Sequence, residues 1–323
     1  MKKTAVGLSL FFLSGSVFAV ENGTPVDWQH DFDDVVNNHC TGLVVGGNHV
    51  LTAKHCPDVT DMAFANGDKV TASRRADHPD YVRRGSGSPY DVSVWTLPHA
   101  VKTSNIHYFS DLKTQSVSVG DSIKAYGFGG DYPLAYADIV IDRLFPHITE
   151  YQGRAVAGAL IGGDSGGVWM KNGLIVGINQ TSDGYVTGNV GGTDLHYAND
   201  FLLETIDGWH YPTVLEGTGT KTVKIQSLHQ NPVSDTAYVD GHVTITGGSC
   251  QTKSTIDAFE TCTYQLEING SGKLYLTDHE VIDINPQDAP PVTTAPGSGG
   301  SSGGSLGFLS LFGLALLGRF RKS

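Results

Sequence analysis

The stretch Ile161-Gly162-Gly163-Asp164-Ser165-Gly166-Gly167-Val168-Trp169 sets a carboxylate directly before a serine and encloses the pair between glycines. Glycine is favoured where the backbone takes positive φ or comes close to another group, so the pattern predicts a sharp turn with open amide N–H groups around one hydroxyl. Such a turn suits a serine nucleophile. A serine hydroxyl attacks poorly at neutral pH unless a base removes its proton, and histidine has the pKa range for that work. Two sets of partners compete. The stretch satisfies G-x-S-x-G, the nucleophile turn of alternating strand–helix folds, which takes its acid and histidine from after the serine: Asp183 or Asp194 with His196 or His210. Upstream stands Leu51-Thr52-Ala53-Lys54-His55-Cys56, with Cys40 sixteen residues before Cys56.

The elements that must position these groups decide between the sets. Short β-type runs punctuated by glycine fill the chain before Ser165 and continue just after it: residues 41–47, 49–53, 91–97, 122–130, 136–144 and 173–180. Alternating or short apolar runs separated by turn signals predict an all-β sandwich or barrel. The downstream set needs alternating strands and helices, and almost no helix precedes Ser165. One helix is predicted at about Asp200 to Asp207, capped by Asn199 or Asp200 and stopped by Gly208, closing a first domain of residues 20–210. Residues 211–285 then carry regularly spaced strands at 221–228, 242–247, 262–268, 273–278 and 280–285, which fit a small Ig-like β-sandwich with no visible chemistry of its own.

Both ends read as addressing segments. Residues 1–19 have the form of a secretory signal peptide, with Lys2 and Lys3, the apolar run Ala5 to Leu13, and the small-residue cleavage site Val17-Phe18-Ala19. Residues 286–305 are a Pro/Thr then Gly/Ser linker, and 306–323 a short apolar segment, Leu306 to Leu317, ending in Arg319, Arg321 and Lys322. Twelve residues span ~18 Å as a helix against a ~30 Å hydrocarbon core, so the tail predicts transient membrane contact with its basic end on the cytoplasmic side. The chain has 33 acidic against 21 basic residues, net −12; without the five cations of the two ends, residues 20–305 carry −17. Such a surface excludes nucleic acid as a partner, since phosphate binding needs a basic patch. Four cysteines in an exported chain imply disulfides. Three pairings are possible, and the local one, Cys40 with Cys56 and Cys250 with Cys262, closes one short loop in each half at ~3 kcal/mol each. No zinc-type spacing and no HExxH occur, so neither metal nor cofactor is expected.

Residues 51–56 resemble the TAAHC segment of the trypsin/chymotrypsin family of serine proteases, with Lys54 in place of the second alanine. His78-Pro79-Asp80-Tyr81 is similar to that family's surface-loop motif, Tyr90 to Leu97 to its NDIALLKL strand, Tyr126 to Gly130 to its GWG turn, and Gly163 to Gly167 to its GDSGG signature. The resemblance implies an all-β, chymotrypsin-like double β-barrel ahead of the sandwich. It implies a triad in which Ser165 attacks a carbonyl, His55 takes and returns the proton, and Asp91 holds the imidazole. The N–H groups of Gly163 and Ser165 would face the oxyanion, each worth on the order of 3 kcal/mol. Asp164 would pair with a new N-terminal ammonium. Val20-Glu21-Asn22-Gly23 is similar to the family's IVGG start and directly follows the cleavage site, so removal of the leader is expected to free the Val20 amine. The far end resembles the GlyGly carboxy-terminal sorting tail of Gram-negative exported proteins, which implies type II secretion and cutting by a rhomboid-like protease.

Three departures bear on specificity. Ala159, six residues before the nucleophile, occupies the base of the family's specificity pocket, where trypsin-type enzymes carry an aspartate. Burying a substrate Lys or Arg without a countercharge costs several kcal/mol, so a small or apolar P1 residue is expected unless Asp183 or Asp194 lies on the wall. Ile161 replaces a cysteine, removing the disulfide that ties the pocket wall. Gly177 to Gly184 stands in place of a GIVSWG-like strand, putting Gln180 and Ser182 on that wall, with Asn179 and Gln180 expected to meet the substrate backbone or Asp91. The expected protein is an exported serine endopeptidase acting on proteins or peptides through an acyl-enzyme. It would be secreted or displayed by a Gram-negative bacterium after signal peptidase and sorting-protease processing. The alternatives are a catalytically idle binding or adhesion module on the same fold and an α/β-hydrolase-type esterase.

Overall fold

Alternation of side chains decides how the longest early strand packs. In Ala135–Phe145, residues Ala135, Ala137, Ile139 and Ile141 are buried while the intervening side chains are partly exposed, as expected for a strand with one face on a core. The computed structural model describes residues 20–287 apart from 59–60, 85–86, 131–132 and 185, so the expected signal peptide, nearly all of the linker, and the apolar tail lie outside the described residues. Seven strands form one antiparallel sheet in the order 24–25, 135–145, 150–157, 189–194, 174–182, 168–171 and 122–127; the last also pairs with 135–145, which closes a six-stranded barrel. Trp169 and Tyr151 fill its core with their rings stacked.

A second seven-stranded sheet, in the order 69–70, 62–63, 35–37, 41–45, 49–52, 93–96 and 74–77, makes the other half. Its strand Thr41–Val45 is buried along its whole length. The two sheets make the all-β, chymotrypsin-like double barrel expected from the sequence, and their facing residues share one core with the helix Asn199–Ile206. That helix differs at both ends from the expected one. A 3-10 turn at Leu195–Ala198 leads into it, so Asn199 lies inside the helix with its Nδ2 donating to the His196 carbonyl. The left-handed stop is Asp207 at φ 39°, one residue before Gly208.

Residues 209–284 form one six-stranded sheet around Thr261–Tyr275. The two strands expected at 262–268 and 273–278 are this single strand, because Asn269 to Gly272 stays extended instead of turning. Tyr238–Gly247 absorbs the irregularity with a register shift after Gly241, and Gly272 lies so close to the Asp240 carbonyl that a Cβ there would collide. Both local disulfides are present, Cys40–Cys56 and Cys250–Cys262. The sheet is bonded directly to the barrels. Buried Gln226 accepts from Phe109 N (2.9 Å) and donates to the Phe109 and Phe259 carbonyls (2.8 Å each). His210, fully enclosed, accepts from Gly46 N and donates to the His107 carbonyl, and burial pushes its pKa down to about 4.

Candidate active site

His55 follows the strand His49–Thr52 and is held from several sides. Cys56 fastens it to Cys40, and Lys54 forms an ion pair with Asp77 at 2.8 Å. Arg75 brackets it: Nη2 donates to the Lys54 carbonyl (2.5 Å) and Nη1 to the Cys56 carbonyl (3.0 Å), while Asp58 and Asp77 hold the guanidinium at 2.6 Å each. Asp91, buried just before the strand Ser93–Thr96, accepts from His55 N on Oδ1 (2.8 Å) and from His55 Nδ1 on Oδ2 (2.6 Å). Because a carboxylate only accepts, Nδ1 is the donor of this pair, and in the neutral imidazole Nε2 then carries the lone pair.

The serine loop is held against the same strands. Ser165 O accepts from Thr41 N at 2.8 Å, and Cys56 Sγ lies 3.8 Å from that same oxygen, so the disulfide beside His55 touches the nucleophile turn. Thr41 also bridges the turn with its hydroxyl, which donates to Gly163 O and accepts from Phe128 N at 3.0 Å each. Gly163 takes φ +100°, and a Cβ there would run into the Gly129–Gly130 backbone. A side chain is therefore excluded twice, by conformation and by space. Asn179 supports the loop from beneath, donating to Asp164 O (2.8 Å) and Tyr126 O (2.7 Å) and accepting from Trp169 Nε1. It is buried and also lines the cavity beside Ser165. Gln180 is bonded to Ser88 N and O and to Thr193 Oγ1, which itself lies 3.5 Å from the Asp91 carbonyl.

Asp164 is turned inward. Its Oδ1 accepts from Gly129 N and its Oδ2 from Ile161 N, both at 2.7 Å. Burial outweighs those two bonds and raises the carboxyl to about 7. Val20 is fully buried, and Glu21 exchanges both backbone hydrogen bonds with Ala159 at 2.9 Å, two residues from the Ile161 amide that Asp164 accepts.

A cavity of about 830 Å³ opens beside Ser165, lined by Leu160, Ile161 and Ser182 among others. Ser182 Oγ donates to Leu160 O at 2.7 Å, a bond that joins two wall segments where the family's disulfide is lacking. Ala159 is buried next to Leu160. Asp183 lines the cavity at an exposed position with Thr187 and Asn189 on its carboxylate. Asp194 is buried elsewhere, bonded to Tyr151 and Gln115. The downstream set is not assembled: the His196 ring bonds the Leu112 carbonyl and the His210 ring is enclosed near Gly46. Sequence reasoning missed Thr41, Arg75 and Glu150. Arg75 and Glu150 are charged residues in strands, and nothing local marks them.

A double barrel carrying a histidine–aspartate pair beside a glycine-bounded serine defines the class of chymotrypsin-like folds. Residues 21–201 match the family described as Trypsin, more than half of the chain, and the chain belongs to that family. Among curated proteins it is 26% identical over 188 residues to an uncharacterized peptidase of Corynebacterium glutamicum (strain R), a match covering 54% of this chain and 60% of that protein. The chain thus spans about 60% of the length of that curated relative. Among solved structures it is similar to an inactivated protease paralogue of the scabies mite, S-I1, at 16% identity and TM-score 0.50 over 58% of this chain and 99% of the other. It is also similar to the VesB protease of Vibrio cholerae, at 18% identity and TM-score 0.47 over 78% and 93% of the two chains. Family and fold agree in placing the chain among proteins with the trypsin-type double barrel.

Proposed function

We propose that the chain is an exported serine endopeptidase whose triad is His55, Asp91 and Ser165. The observation that carries this is the two-point bond of Asp91 to His55 beside a serine turn fastened to the same disulfide. In the proposed cycle Ser165 Oγ attacks the scissile carbonyl as His55 Nε2 takes its proton, and the N–H groups of Gly163 and Ser165 receive the oxyanion. His55 then protonates the leaving amine. Water, activated by the same imidazole, releases the acyl group. Asp91 keeps the tautomer and stabilises the imidazolium. Asp164 and Val20 are the proposed maturation pair, formed once cleavage after Ala19 frees the Val20 amine. Neutral Ala159 together with Leu160 and Ile161 favours a small or apolar P1 residue. Residues 20–210 are the proposed catalytic domain and 211–285 a small β module. The leader and the 306–323 tail direct export and sorting in a Gram-negative cell.

Hydrolysis of a peptide library by the mature protein and by Ser165→Ala tests the reading. The variant is expected to lose on the order of 10⁶ in kcat. Equal rates would end the protease reading in favour of an idle module.

A further inference from the structure

The cavity beside Ser165 contains a carboxylate that the proposed chemistry does not use. Glu150 opens the strand Glu150–Ala157 and is 8% exposed. Its neighbours in the sheet are Phe145 on one side and Thr193 on the other, and it lines the same cavity as Ser165, Leu160 and Ser182. Glycines flank the carboxylate. A Cβ on Gly87 would fall 2.5 Å from Oε2, and one on Gly191 would fall 2.6 Å from Oε1. Oε2 is buried and has no hydrogen-bond partner among the described residues. Desolvation is what moves its titration, pushing the carboxyl up to about 7.

An isolated buried carboxylate is costly, and an apolar residue would fill this strand position without that cost. Among the described residues the cavity wall carries three acids, Glu150, Asp164 and Asp183, and no lysine, arginine or histidine. Asp164 is occupied by two backbone amides and Asp183 by Thr187 and Asn189. Among the described residues, Glu150 is the one of the three with a buried carboxylate oxygen, Oε2, that has no hydrogen-bond partner. Gly87 belongs to the loop that leads into Asp91, and Ile148 to the turn before Glu150, so this wall differs from the one that Leu160, Ile161 and Ser182 supply.

We propose that Glu150 recognises a basic side chain of the substrate, lysine or arginine, at a position upstream of P1. The word substrate here rests on the endopeptidase reading; the cation site itself does not. The Ser165→Ala protein, which binds without turnover, is titrated calorimetrically with N-acetylated tetrapeptides carrying lysine or uncharged norleucine at each position in turn, with and without Glu150→Gln. Lysine at one position upstream of P1 is expected to bind about tenfold or more tighter than norleucine, and the ratio to fall to about one in Glu150→Gln. Equal binding of the two at every upstream position, in protein that retains Glu150, overturns the proposal whether or not the variant folds. A lysine preference confined to P1, or one that survives Glu150→Gln, overturns it as well. Hydrolysis of the same sequences by the Ser165 protein separates the two ideas. Lysine-selective binding without hydrolysis removes the endopeptidase reading and keeps the site, whereas Ser165-dependent hydrolysis without lysine selectivity does the reverse.

Discussion

Retaining a few residues before Val20 perturbs the proposed maturation pair without touching the triad. Among the described residues of the uncut chain Asp164 has two amide donors and no cation, and burial lifts its carboxyl from 3.8 to about 7. At 1.36 kcal/mol per pKa unit, holding that group ionised costs about 4 kcal/mol. The sign follows from which state binds the proton. Folded Asp164 keeps its proton where the unfolded chain has released it, so this contribution is fully present below about pH 3.8 and is lost as pH rises to about 7. An ammonium from Val20 reverses the sign. The paired carboxyl drops below its usual range, and its contribution is then present above about pH 4 until the amine loses its proton.

Two proteins, one beginning at Val20 and one extended by several residues, are compared by urea unfolding at about pH 5 and pH 8 and by kcat/KM for peptide hydrolysis. The extended form is expected to lose about 2–3 kcal/mol of stability between the two pH values relative to the mature form, the share of the titration that falls above pH 5. The mature form should also be faster by roughly a hundredfold, because the loop with Gly163 and Ser165 N–H is fixed by Asp164. Equal kcat/KM with the same pH dependence of stability in the two forms refutes the pairing. Loss of activity without any difference in pH dependence refutes its electrostatic basis and leaves only a steric role for the new end.

Two further outcomes follow from groups that fasten the site. Arg75→Gln removes the donors that bracket His55; steady-state kinetics are expected to show kcat lowered by about tenfold with KM nearly unchanged, because positioning and not substrate contact is lost. Gln226→Leu deletes three buried hydrogen bonds, two of them between the barrels and the C-terminal sheet, and leaves the Phe109 and Phe259 groups unpaired. Chemical denaturation should report about 2–4 kcal/mol of destabilisation.

The contact between His55 and Asp91 is legible in the sequence because each residue sits in a short segment whose neighbours have fixed jobs. Cys56 requires Cys40, Asp91 precedes a buried alternating strand, and the glycines after position 162 announce a turn. Arg75 is not legible, since its role depends on the pairing of residues 74–77 with 93–96, which places the guanidinium beside the Lys54 and Cys56 carbonyls. Thr41 is hidden for a similar reason: it reads as one more β-branched strand residue, yet it bonds Ser165, Gly163 and Phe128 across more than 80 residues of chain. The merged strand Thr261–Tyr275 shows the opposite error. Glycine and asparagine at 269–272 predict a turn by composition, but long-range pairing with Tyr238–Gly247 keeps the backbone extended.

Specificity is the part of the site that local sequence describes least. Family spacing directs attention to Ala159, whose small neutral side chain argues against a basic P1 residue. The walls of the cavity, however, come from Gly87, Glu150, Leu160, Ser182 and Gly191, which lie on segments far apart in the chain and meet only through the closed barrel. On the proposed reading, a substitution at the spaced position and a charge on a distant strand would therefore act on one substrate at the same time. A neutral Ala159 does not make the cavity neutral, because the sheet delivers the Glu150 carboxylate to its wall. The charge preference of such a site has to be taken from the barrel's register, and no motif six residues before the nucleophile contains it.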